Sequence, residues 1–517
     1  MKSWLKNAIF YEIYPQSFCD TNGDGIGDFR GIMEKLDYIK DMGFTAIWMN
    51  PCFASPFTDA GYDVEDFYKA APRYGTNEDL KRLFHEVHKR GMHLILDLVA
   101  GHTAMSCKWF QESMKPERNE YSDRYIWTNS VWNPIDGISS ITGELRGISQ
   151  RDGCCAVNFF TTQPALNYGF ANPTRSWQHA VDSEAALSTR RELINIIKFW
   201  LGMGCDGFRV DMAQSLIKND EEQGHKETIR LWQGIFREVA EEYPEAAFVS
   251  EWGEPNKSLL AGFDMDFLLH FGPSRYNDLF RVDEPYFSPE GKGDLAEFFR
   301  RYMANLDLTE GKGFICLPSG NHDMSRLGHH LTPHQIKLAF AFIMSMPGIP
   351  FIYYGDEIGM KHVQNIPSVE GGYNRTGARS PMQWDTTTNC GFSAAPSDQL
   401  YIPLDPDPAR PTVAQQQKDF DSVLHALKEL MAVRKATPAL QESAAFEPVH
   451  TEGYPLVYRR SDGDSAVLVV INPADREEPF SCDAAVQSVL YSLGGTARVE
   501  NGVLTVPPQS ATYLALA

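Results

Sequence analysis

The chain predicts an α/β barrel carrying an inserted domain and a C-terminal antiparallel β-domain. Three observations carry that expectation. Short apolar runs alternate with stretches of helical period, the alternation lapses once between residues 102 and 170, and beyond residue 437 the period changes to two. Apolar runs at 8–14 and 44–49 flank an amphipathic stretch at 29–42, which is the first strand-helix unit. A helix at 80–90 and a strand at 92–99 follow, then a helix at 191–203, a strand at 206–210, a helix at 226–242 and strands at 247–250 and 263–265. A helix at 293–306, a strand at 314–317, a helix at 334–346, a strand at 350–354 and a last helix at 420–435 complete a set of eight strands. Strands alternating with helices in this way favour a (β/α)8 TIM barrel over an open sheet, with 1–102 and 171–436 as its two sections.

Residues 103–170 are rich in Gly, Ser, Asn, Trp and Tyr and far exceed an ordinary strand-to-helix loop, so an inserted domain is expected after the third strand. Its aromatic run at 121–132 suits core packing better than a sugar-stacking wall. Residues 437–517 alternate in polarity, as in Leu456-Val-Tyr-Arg-Arg and Ala466-Val-Leu-Val-Val-Ile, which predicts a β-sandwich.

Hydrophobic residues at 43% and charged residues at 22% describe a soluble globular chain, and a net charge of -21 disfavours nucleic acid and anionic membranes as partners. A neutral substrate fits better. No apolar segment has signal-peptide or transmembrane length, so a cytoplasmic location is expected. Nine cysteines, with no Cys-x-x-Cys pair, are expected to be free and mostly buried.

Three acids stand where strand-like runs break into polar loops: Asp211 in Gly207-Phe-Arg-Val-Asp211, Glu251 after Ala247-Phe-Val-Ser, and Asp323 in Gly320-Asn-His-Asp323. Carboxylates at barrel strand ends are rigid and face a cleft, and glycosidic cleavage by the retaining route needs two of them about 5 to 5.5 Å apart. Arg209 shares a strand face with Asp211 and is expected to keep it ionised, as a nucleophile requires. Glu251 precedes Trp252-Gly253, and an acid beside an indole suits proton donation. Asp323 is placed to stabilise positive charge on the sugar ring. The presence of all three argues against a non-catalytic barrel.

These segments resemble, in order, the motifs of the α-amylase superfamily, glycoside hydrolase family 13: Asp97-Leu-Val-Ala-Gly-His102, Gly207 to Asp211, Glu251 and Asn321-His-Asp323, with Gln163-Pro-Ala-Leu-Asn167 as an additional motif. Ala8-Ile-Phe-Tyr-Glu-Ile-Tyr-Pro-Gln-Ser-Phe, Tyr353-Tyr-Gly-Asp-Glu-Ile-Gly-Met360 and Arg379-Ser-Pro-Met-Gln-Trp384 look like its oligo-1,6-glucosidase, α-glucosidase and trehalose synthase branch. The resemblance implies a nucleophile at Asp211, an acid/base at Glu251 and a transition-state stabiliser at Asp323. Arg209, His102 and His322 are implied to contact the sugar, and Asp59 and Tyr62 to hold the terminal glucose. Arg379, with Arg375 as a second candidate, is implied to pair with Asp59. It implies an exo-acting retaining α-glucosidase, or alternatively a transglucosidase or trehalose-synthase-like enzyme, with no organic cofactor. Gly101 stands where the family usually has a calcium-binding Asn, and Met212-Ala213 after the nucleophile leaves the linkage open.

A second loop, Asp20-Thr-Asn-Gly-Asp-Gly-Ile-Gly-Asp28, has oxygen donors at alternate positions and a glycine at the sixth, like the start of an EF-hand. Asp20, Asn22, Asp24, the Ile26 carbonyl and Asp28 are expected to enclose a structural Ca2+ or Mg2+, in preference to forming a plain Asx-turn loop. Glu357 reads equally as an acid lining the entrance or as a solvated loop acid. Oligomeric state is not legible.

Overall fold

A computed structural model describes residues 2–269 and 274–517. Eight strands form one sheet: β1 (Phe10–Ile13), β2 (Ala46–Met49), β3 (His93–Val99), β4 (Gly207–Asp211), β5 (Ala247–Ser250), β6 (Met265–Phe267), β7 (Phe314–Cys316) and β8 (Phe351–Tyr353). Their spatial order is β7-β6-β5-β4-β3-β2-β1-β8, and a parallel bridge from Pro318 to Phe351 joins the two ends. This is the TIM barrel that the alternation predicts. Its strands are apolar throughout because helices cover the outside and side chains fill the inside, so alternation with polar residues is lost.

The expected elements recur with small shifts at their ends. The helix expected at 29–42 is two helices, Phe29–Glu34 and Leu36–Met42, broken at Lys35. The helix expected at 191–203 begins earlier, at Glu184, because Ser183 accepts a hydrogen bond from the Ala186 N–H as its N-cap.

Contacts divide the chain into two compact units. The first holds residues 48–266 with 1–3 and 368–372, and so β3, β4 and β5 with the inserted region. In that region the hairpin Gly143–Arg146 with Cys154–Val157 lies beside a small core of Ile126, Ala156, Ala165, Phe170 and Trp177. Tyr125 and Trp127 are buried, as core packing requires, while Trp132 is 81% exposed.

The second unit holds residues 4–47, 267–367 and 373–517. Here β1 pairs with β8 in parallel register, Phe10 opposite Phe351. The C-terminal part is antiparallel, a five-stranded sheet and a three-stranded sheet, with Val457, Leu468, Val470, Leu504, Val506 and Leu514 in its core. All nine cysteines are free and eight are buried. Among the described residues no helix is long and apolar enough to cross a membrane.

Candidate active site

Within the first unit, β4 supplies the centre of the site. Register places Arg209 opposite Asp97 of β3 and Val249 of β5. Gly207 lets β4 and β5 approach: a Cβ there would lie 1.9 Å from the Ala247 carbonyl oxygen, and its φ of +154° suits glycine alone. One Arg209 guanidinium then serves three carboxylates. Its Nη1 donates to Asp97 Oδ1 and to Asp211 Oδ1, each at 2.9 Å, and its Nη2 pairs with Glu251 Oε2 at 2.9 Å. The Met212 N–H donates to the same Glu251 oxygen at 3.0 Å. Tyr62 Oη and Trp48 Nε1 donate to Asp97 Oδ2 at 2.9 and 3.1 Å.

Three carboxylates around one cation, all buried, cannot all be ionised cheaply. Burial raises Asp211 to about 7 and Asp97 to about 6, against the lowering pull of Arg209. The expected ion pair of Arg209 with Asp211 is present, and its pull toward the ionised form works against a larger desolvation. Burial draws Arg209 down, yet Asp97 and Glu251 overcome this and hold it firmly charged.

Asp59 Oδ2 accepts from Gln163 Nε2 at 2.7 Å, which ties the loop before Tyr62 to the inserted region. His102 is fully enclosed. Its Nε2 lies 2.8 Å from the Tyr62 carbonyl oxygen and so carries the ring hydrogen, leaving Nδ1 to accept from Asn158 Nδ2 at 3.1 Å. Burial lowers its pKa to about 4, so it is neutral. Asn158 in turn accepts from Lys218 Nζ at 2.9 Å, and that ammonium also donates to the carbonyls of Ser140 and Ser215. The Lys218 Nζ thus fills an oxygen cage beside Gly101, where a Cβ would meet Asn158 Nδ2 at 2.7 Å. The asparagine missing at 101 has no room in this arrangement.

The second unit carries the remaining residues. Asp323 Oδ1 accepts from Arg375 Nη1 at 2.7 Å and from Arg379 Nη2 at 2.9 Å, and Arg379 Nε also holds the His322 carbonyl. His322 Nδ1 lies 3.0 Å from Oε1 of Glu12, a carboxylate on β1, and its Nε2 lies 3.4 Å from Asp323 Oδ2. Glu357 is fully buried and accepts from Tyr11 Oη at 2.6 Å and Tyr38 Oη at 2.9 Å. It neither lines an entrance nor meets solvent, because two tyrosines replace water as its partners.

The Asp20 loop is wound by its own side chains. Asp20 Oδ1 accepts from the Asn22 and Gly23 N–H groups, Asp20 Oδ2 from Gly25 N and Ser393 Oγ, and Asp28 caps the helix Phe29–Glu34. These are the Asx turns of the simpler reading. Yet none of Asp20, Asp24 and Asp28 has an ion-pair partner among the described residues, so the donor set, all oxygen with uncompensated charge, fits a hard cation.

Sequence reasoning did not select Asp97, Glu12, Asn158 or Lys218 as site residues. Asp97 and Glu12 carried a usable signal, a single carboxylate inside an apolar strand; Asn158 and Lys218 carried none.

The model of the alpha amylase catalytic domain matches residues 12–443. An oligo-1,6-glucosidase of Parageobacillus thermoglucosidasius is 31% identical over 541 residues, covering 92% of each chain. A trehalose synthase/amylase of Mycobacterium tuberculosis is 31% identical over 529 residues, covering 93% of this chain and 84% of that one. The crystal structure of a trehalulose synthase from Pseudomonas mesoacidophila superposes with a TM-score of 0.83 at 27% identity, covering both chains completely, and a variant of that enzyme was solved with its substrate sucrose.

Proposed function

The chain belongs to the alpha-amylase family and is a glycosidase, and from that premise we propose that it is a retaining, exo-acting α-glucosidase that removes terminal glucose from short oligosaccharides. The observation that carries this reading is the bridging of Asp211 and Glu251 by the two terminal nitrogens of one guanidinium. A retaining pair must stand about 5 to 5.5 Å apart, and a shared arginine is a rigid spacer for two such groups. Asp211 attacks the anomeric carbon and forms a covalent β-glucosyl ester, while Glu251 protonates the departing glycosidic oxygen. Glu251 then removes a proton from water, which displaces Asp211 and restores the α-anomer. Asp323, held by Arg375 and Arg379, offsets the positive charge that develops on the ring. Asp59 and Tyr62 hold the terminal sugar's hydroxyls and face, with Arg209, His102 and His322 around the reacting ring.

A second reading has specific support. Relatives include a trehalose synthase/amylase, and the solved neighbours include a trehalulose synthase studied with sucrose, which supports a reading in which the glucosyl ester passes to a second sugar in place of water. Time-resolved NMR with maltose, isomaltose, trehalose and sucrose separates the two. First release of α-glucose supports hydrolysis, new disaccharide with little free glucose supports transfer, and first release of β-glucose overturns the retaining mechanism.

A structural Ca2+ or Mg2+ held by Asp20, Asn22, Asp24, the Ile26 carbonyl and Asp28 belongs to the same proposal. A bound cation would neutralise the loop's carboxylates and take no part in the reaction. Added Ca2+ is expected to raise the thermal midpoint after chelation, and Asp24→Asn to abolish that rise; an unchanged midpoint leaves only the Asx-turn loop.

A further inference from the structure

We propose that His88, His93 and Asp206 form a second metal site, one that binds a transition-metal dication such as Zn2+ or Co2+ at the opposite end of β4 from the catalytic acids. His88 lies in the last turn of the helix Asn77–Lys89, His93 is the first residue of β3, and Asp206 immediately precedes β4. One donor atom from each lies within 4.8 Å of the others, the one such group of His, Cys, Asp or Glu among the described residues. His88 Nε2 is 2.8 Å from Asp206 Oδ2 and His93 Nδ1 is 3.0 Å from Asp206 Oδ1, so the two imidazoles approach a single carboxylate from its two oxygens.

The three donors are gathered closely enough for one ion to reach all of them after small side-chain shifts. Zinc bonds of about 2.0 to 2.1 Å in a tetrahedron place neighbouring donors roughly 3.3 to 3.4 Å apart, so the two His–Asp contacts must widen by about 0.3 to 0.6 Å while the three donors, now within 4.8 Å of one another, draw around one centre. Two imidazoles and a carboxylate are the donor class that selects zinc and its neighbours over calcium. The three side chains are 38%, 31% and 15% exposed, which leaves the open side accessible to water as remaining ligand. Asp206 is fixed as a ligand should be: its Oδ2 also accepts from the Leu94 N–H, and its own N–H donates to the Leu94 carbonyl. His88 sits at a helix C-terminus, where the aligned peptide dipoles favour a cation. On binding, the ring hydrogen now shared with Asp206 moves to the other nitrogen of each imidazole, and the metal takes its place.

The site lies roughly 16 Å from Asp211 along five strand residues, so its effect is on the anchoring of one helix to two barrel strands and not on catalysis. Titration of the full chain with Zn2+ in excess Ca2+, and with Co2+ followed by visible absorption, tests it. One saturable equivalent is expected, with a d–d band of reduced coordination number and a raised thermal midpoint. His88→Asn and His93→Gln keep a polar partner for Asp206, and each is expected to weaken binding at least tenfold with kcat on an aryl α-glucoside unchanged. Absence of saturable binding to the wild type overturns the proposal, and so does binding that both variants retain in full.

Discussion

Asp211 has to be a carboxylate to attack, yet the fold places it where burial raises its pKa to about 7. Its folded value lies above its ordinary 3.8, so ionising it costs stability that the unfolded chain does not lose, and stability falls as pH rises through that interval. Asp211→Asn keeps an oxygen for Arg209 and removes the charge. At pH 8 it is expected to raise stability by about 2 kcal/mol while reducing kcat/KM roughly 10^4-fold or more. Urea unfolding at pH 8 and aryl α-glucoside hydrolysis check the two halves; a variant less stable than wild type contradicts the desolvation argument. In the wild type, kcat/KM is expected to rise with pH on a limb near 7 that belongs to the Asp97–Asp211 pair as a unit, since both bond the same Nη1.

At the scale of elements, the segment after β4 is joined to the inserted region through Lys218, whose buried ammonium donates to Ser140 O, Asn158 Oδ1 and Ser215 O. Lys218→Met preserves volume but leaves three acceptors unpaired, and a loss on the order of 2–4 kcal/mol is expected. Asn158 then loses its anchor and His102 its fixed tautomer, so kcat/KM should fall about tenfold. Burial lowers Lys218 to about 7, below its ordinary 10.5, so the unfolded chain binds more protons between those values and the wild type gains stability as pH rises there. That gain is expected to vanish in the variant, which urea midpoints at pH 7 and 9.5 measure. This link also shows where sequence reading stops. Gly207-Phe-Arg-Val-Asp211 was legible because the i, i+2 relation within one strand places Arg209 beside Asp211. Asp97 needed the β3–β4 register, His322 needed Glu12 from 310 residues away, and Lys218 looked like any loop lysine. Glu357 was misread because residue type suggested water where folding supplied Tyr11 and Tyr38.

For the molecule as a whole, the buried carboxylates govern how stability changes between about pH 4 and 7. Burial raises Asp97 and Asp264 to about 6 and Asp211, Asp266 and Glu357 to about 7, each above its unfolded value. Between about pH 4 and 7 the folded chain therefore holds protons that the unfolded chain has released, and each of these groups makes stability fall as pH rises. His102 and His362 act in the opposite sense, since burial lowers both to about 4 and they favour the folded state as the unfolded imidazoles lose their protons toward pH 6.5. Burial also raises Asp356 and lowers His225 and His330, so among the described residues six raised carboxylates against four lowered imidazoles leave the fall in control, and above pH 6.5 the imidazoles add nothing. The urea midpoint is accordingly expected to be higher at pH 5.5 than at pH 7. Glu357→Gln, still able to accept from Tyr11 and Tyr38, should flatten that difference. A midpoint that rises from pH 5.5 to 7 would show that histidine burial, not carboxylate burial, dominates this fold's acid–base balance.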